Sequence, residues 1–149
     1  MRLLLLGQGQ WAVYAICSDD GACAVLDLIE GLDQKRGRKV LSDLSQWVPN
    51  SSSQDWVRTD FSWKLRGTDS ILEFRWPTKG GGTPRVYWFY DANNVIVCSH
   101  GVNKKGATDP DDVRRAEAAE EVYRRDKTAR ALIITRLDDF DNDEDADRG

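Results

Sequence analysis

The chain of 149 residues contains one histidine, one methionine, three cysteines and four prolines. A single histidine with no Cys-x-x-Cys spacing leaves no ligand set for a structural zinc site. Cys17, Cys23 and Cys98 are odd in number and show no close pairing, so they are predicted to be free thiols packed as small apolar residues. Long apolar runs are also missing. None approaches the ~20 residues of a membrane span, and Leu3 to Leu6 is shorter than the ~7–15-residue core of a signal peptide, which predicts a cytoplasmic protein without a membrane partner. Six tryptophans and a 40% hydrophobic share exclude a wholly disordered chain. The length suits one domain with a real core and leaves no room for a separate cofactor domain, so no cofactor is expected.

Net charge is −4, but it is unevenly spread. Seven acids (Asp138, Asp139, Asp141, Asp143, Glu144, Asp145 and Asp147) stand against Arg148 in the last stretch. A domain over 1–136 is therefore predicted to be slightly basic, followed by an acidic, disordered tail over 137–149. The tail reads either as a solubiliser or as a strap lying transiently over a basic groove. Between Phe61 and Lys105, seven bases (Lys64, Arg66, Arg75, Lys79, Arg85, Lys104 and Lys105) face three acids (Asp69, Glu73 and Asp91), a local surplus suited to an anionic partner.

Gln10 to Ile16 alternates like a strand. Asp19-Asp20-Gly21 is positioned to cap a helix over about 21–33, where Ala22, Val25, Leu26, Ile29 and Leu32 share one face. A basic turn, Gln34 to Gly37, leads to a second helix through Val40, Leu41, Leu44 and Trp47, stopped by Pro49. Asn50 to Gln54 reads as a linker, and Asp55 to Lys64 shows no period. Ile71 to Trp76, Arg85 to Tyr90 and Val95 to Val102 read as antiparallel strands joined by hairpin loops. Asp109 at the N-cap and Pro110 behind it open a helix to about Arg130, and Ala131 to Arg136 is a candidate edge strand. This order predicts an α+β domain: an antiparallel sheet with two N-terminal helices and a C-terminal helix packed against one face, the other face being free for a ligand. No helix-turn-helix signal supports a DNA regulator.

Four short patterns fall in a fixed order: Lys64-Leu65-Arg66-Gly67, Leu72-Glu73-Phe74-Arg75, Pro84-Arg85-Val86, and Ser99-His100-Gly101-Val102-Asn103-Lys104-Lys105 before the Thr108-Asp109-Pro110 helix start. Together they resemble the phage-derived Gp49-like (HigB) branch of the RelE toxin superfamily. The resemblance implies a RelE-like fold and a metal-independent endoribonuclease that cuts messenger RNA, usually on the ribosome. It further implies the toxin role in a type II toxin–antitoxin pair, restrained by a small helix-turn-helix antitoxin. A catalytically silent RelE-like binding module of phage origin is the alternative.

Carried over position by position, the resemblance makes Arg75 and Arg85 groove cations for the scissile phosphate, with a Glu73–Arg75 salt bridge as the competing reading. Lys104 and Lys105 match the family's double lysine and are candidates for transition-state charge stabilisation or leaving-group protonation. His100 reads as a general acid or base, or as a packed structural residue. Lys64 and Arg66 are RNA-binding candidates; Tyr123 either reaches back to the groove or packs in the core. The chain departs from the pattern at three positions. Pro84 replaces a tyrosine, Val102 a phenylalanine, and Thr108 stands where a further lysine is frequent.

Overall fold

The computed structural model describes residues 1–137, so the acidic tail from Asp138 and its proposed strap lie outside the described residues. The N-terminus is a hairpin of strands, β1 (Arg2–Gln8) and β2 (Ala12–Cys17), rather than a single strand before the helices. The leucine run does not alternate in sequence, yet it is β1. Leu4 and Leu6 enter one apolar cluster and Leu3 another, because both faces of this strand are covered.

Helix α1 (Ala24–Gly31) starts later than the Asp-Asp-Gly sequence suggests, with Cys23 at its N-cap. Asp20 instead closes the preceding turn, accepting from the Ala22 amide at 3.2 Å and from the Ser18 hydroxyl. Helix α2 (Gln34–Ser42) is capped by Asp33, whose carboxylate accepts from the Arg36 amide at 2.9 Å. The predicted basic turn is therefore the first turn of α2. It runs into a π-helical turn, Asp43–Trp47, and a 3-10 turn, Val48–Asn50. The predicted linker is a helix entry: Ser52 and Asp55 form a reciprocal capping box for α3 (Ser53–Arg58).

Strands β3 (Ser62–Lys64), β4 (Leu72–Arg75), β5 (Thr83–Asp91) and β6 (Val95–Lys104) form an antiparallel meander. Helix α4 (Pro110–Thr128) and the edge strand β7 (Ile133–Arg136) follow. The sheet order is β3-β4-β5-β6-β2-β1-β7, with β2 parallel to β6 and β1 parallel to β7. The sheet is thus mixed, which corrects the antiparallel expectation.

The expected free face is also absent among the described residues. On β5, Val86 and Trp88 belong to the cluster under α1 to α3, while Tyr87 and Phe89 belong to the cluster that includes Ala116 and Tyr123 of α4. All four strand residues are fully buried, so helices cover both faces. Only Val113, Ala116 and Tyr123 of α4 are buried, an apolar face too sparse to show in the sequence which side it covers. A β-bulge sets the last feature that matters for the site. Trp88 pairs with Cys98 but Tyr87 with His100, so the extra residue Ser99 turns His100 toward α4. Gly101 then faces α1, where an added Cβ would lie 2.4 Å from Leu28 Cδ2.

Candidate functional site

Arg75 at the end of β4 and Arg85 near the start of β5 are direct cross-strand partners. Like charges in that relation repel unless something neutralises them. Glu73, fully buried on the same face, does so. Its Oε1 accepts from Arg75 Nε and lies 3.7 Å from Arg85 Nε, while its Oε2 accepts from the Thr108 hydroxyl at 2.8 Å. Thr108 Oγ1 in turn accepts from Arg75 at 3.4 Å and from Arg85 at 3.3 Å, and the Gly106 carbonyl accepts from Arg85. The Glu73–Arg75 bridge is therefore made, and Thr108 occupies the centre of the arrangement. Exposure separates the two arginines: the Arg75 side chain is 25% exposed and that of Arg85 only 6%. The Arg75 guanidinium also lies 4.3 Å from the Trp63 ring centroid, a cation–π contact that holds its plane.

Arg75 borders a cleft of about 640 Å³ between the β3–β4 connection and the start of α4. Lys64, Arg66, Arg75 and Arg114 line it against one carboxylate, Glu117. Lys104 lies beside this helix start, bound to Asp109 at 3.2 Å. Asp109 also accepts from the Asp111 amide; that bond first, and Lys104 second, hold its carboxyl below the usual range. Lys105 is exposed in the bend after β6.

On the other side of Arg75 is a second cleft, also about 640 Å³, lined by Lys35, Arg36 and Lys39 of α2 against Asp60 and Asp43, the latter bound to Lys39 at 3.1 Å, and floored by Trp47, Phe61, Trp76 and Pro84. Arg75 lines both clefts. The α2 bases were not recognised as site residues in the sequence. Their signal was present, because Lys35 and Lys39 are four residues apart and share a helix face once Asp33 is seen as the cap.

Two predicted residues lie away from the clefts. Tyr123 is buried against Phe89, and its hydroxyl donates to Asp91 at 2.5 Å. Asp91 ends β5 whereas Arg85 stands near its start, about 20 Å apart along a strand, so Tyr123 does not reach back to the groove. His100 is fully buried, its ring stacked on Tyr87 with centroids 5.0 Å apart. Its Nδ1 lies 2.9 Å from Ser99 Oγ and its Nε2 3.2 Å from Asp112 Oδ1, which suits a neutral ring donating from Nε2 to the carboxylate. This occupies both nitrogens in packing rather than in proton transfer to a ligand.

Burial, reinforced by Arg115 and opposed by Asp112, lowers the His100 pKa. The unfolded chain therefore binds a proton that the folded chain resists. The stabilisation is complete above the unfolded value of about pH 6.5 and is lost as pH falls toward the lowered folded value. Urea midpoints should show this: from about pH 7.5 to about pH 5.5 the wild type should lose more stability than His100→Gln. Equal losses would show that His100 titrates alike in both states.

Among the described residues no cluster of His, Cys, Asp and Glu could hold a metal ion, and no helix is long and apolar enough to cross a membrane. No protein-family model matches this chain, and no curated protein or solved structure is significantly similar to it.

Proposed function

We propose that this chain binds single-stranded RNA through its phosphates along the two clefts that Arg75 lines, and cuts it as the toxin of a type II toxin–antitoxin pair. The observation that carries the reading is Arg75 itself: a partly exposed arginine that lines both clefts, its guanidinium held by Glu73, Thr108 and Trp63. RNA supplies its own nucleophile, a 2′-hydroxyl beside the scissile phosphate, so the protein needs to align the chain and neutralise charge on the phosphorane. DNA lacks that group.

In this reading Arg75 touches the phosphate, and Lys104 and Lys105 supply further positive charge and a proton for the leaving oxygen. Lys64, Arg66 and Arg114 follow the backbone on one side, and Lys35, Arg36 and Lys39 on the other. Arg85 is a positioning residue behind Arg75, and His100 holds the start of α4 to the sheet through Asp112. The substrate is translated messenger RNA on the ribosome, and the restraining partner is a small helix-turn-helix antitoxin. The burial of His100 favours a second reading, the silent binding module, because it removes the one neutral-pH acid–base group from reach.

Incubation of the protein with an RNA oligonucleotide separates these readings. Cleavage that persists in a metal chelator and falls by about 10²–10³ in Arg75→Ala is the expected result. Lys64→Ala should weaken binding and reduce its salt dependence by about one released counterion. Binding to the oligonucleotide with no cleavage of it, or of a messenger RNA under translation, would identify the silent module, and absence of both binding and cleavage would remove the RNA reading.

A further inference from the structure

Cys17, the last residue of β2, and Cys23, the N-cap of α1, are opposed across an antiparallel bridge that closes the turn between them. The Ser18 amide donates to the Ala22 carbonyl at 2.7 Å just inside the pair. That bond makes Cys17/Cys23 a non-hydrogen-bonded pair, the kind whose Cα atoms lie roughly 4.5 Å apart with side chains on the same side. A disulfide spans Cα separations of about 4.4–6.8 Å, so bridging this pair needs no strand to move. Both thiols are free, Cys17 is partly buried and Cys23 is buried behind it. The three cysteines are free, as the sequence reading has them, and the fold-back sets Cys17 opposite Cys23.

We propose that Cys17 and Cys23 form a reversible disulfide when the protein meets hydrogen peroxide. The Cys23 thiolate attacks one peroxide oxygen; the O–O bond breaks, leaving a sulfenic acid and, after protonation, water. The Cys17 sulfur then displaces the sulfenic hydroxyl, and its own proton leaves with that group as a second water. Two thiols lose two electrons in all, and the peroxide is reduced. The facing Cys17 thiol, helped by the Leu26 and Val25 amides at the start of α1, lowers the Cys23 pKa to about 7, while the same contact and burial push Cys17 up. Cys98, fully buried on β6 with its pKa raised by burial, stays a thiol. The proposal is independent of any RNA activity.

The test uses the full chain treated with hydrogen peroxide while folded and then alkylated in urea, where all three cysteines are accessible. The expected product has lost about 2 Da and two of its three reactive thiols, and dithiothreitol restores both. A protease that cuts before aspartate splits the chain at Asp19, Asp20 and Asp27, so peptides 1–18 and 20–26 should remain joined until reduced. Cys17→Ser, altered at a partly buried position, should form no crosslink and stop at a Cys23 sulfenic acid, which dimedone traps and dithiothreitol returns to the thiol. A crosslink to Cys98, or three intact thiols in the native protein under conditions that oxidise the urea-unfolded chain, would overturn the proposal.

Discussion

Glu73→Ala is expected to lose about 3–5 kcal/mol of stability, the cost of leaving a buried charge without its partner. Glu73 has no exposure and lies between two arginines paired directly across adjacent strands. Removing it leaves the Arg85 guanidinium, 6% exposed, with only the Thr108 hydroxyl and the Gly106 carbonyl. Arg75 is nearer the solvent and has the Trp63 ring, so most of the loss should fall on Arg85. Urea unfolding measures the effect. A second chain decides its cause: Glu73→Ala combined with Arg85→Met replaces the stranded charge by an apolar side chain and should recover much of the loss. A single-variant change below about 1 kcal/mol would show that the two arginines do not depend on Glu73.

Trp56→Ala should cost a similar amount, about 3–5 kcal/mol, by opening a cavity in the middle of the larger core. Trp56 is fully buried, edge-on to Phe74 and Trp88 at 5.7 and 6.0 Å and tilted against Trp11 at 5.3 Å. Its indole N–H donates to Ser51 Oγ at 2.7 Å. Val57, its neighbour on α3, is 63% exposed, so Val57→Ala should stay within about 0.5 kcal/mol and serves as the control for the change in helix propensity. Comparable losses for the two variants would mean that helix α3, rather than the indole, was being measured.

That contrast also shows where the sequence becomes opaque. Trp56 lies in a segment with no readable period, because α3 has six residues and β3 three, both shorter than a pattern needs to repeat. By comparison, Asp109 and Pro110 announce α4, and the three later strands and the β7 edge are legible because each carries its turn or cap chemistry in adjacent residues. The parallel partners of β1 and β2 leave no local mark, since their pairing is decided by chain that comes much later. The same limit applies at the candidate site. Arg75, Arg85 and Lys104 could be picked out singly, but Glu73 as their shared counter-charge, the α2 bases across the cleft and the burial of His100 by a one-residue bulge all depend on register and packing.

The position of β2 between β1 and β6 has a consequence for biosynthesis. Ala12 pairs with Val95, and Arg2 of β1 with Ile133, so each strand of the first hairpin gains its outer neighbour only when much later chain has been made. At translation rates of about 5–20 residues per second, the interval between finishing β2 and finishing β6 is roughly 4–17 seconds. During that time Leu3, Leu4, Leu6 and Val13, all buried in the finished protein, belong to a ribbon without its outer strands, which has only the helical segment that follows it for cover. The groove at Arg75 cannot assemble on the ribosome that is making it until the strand bearing Lys104 has emerged.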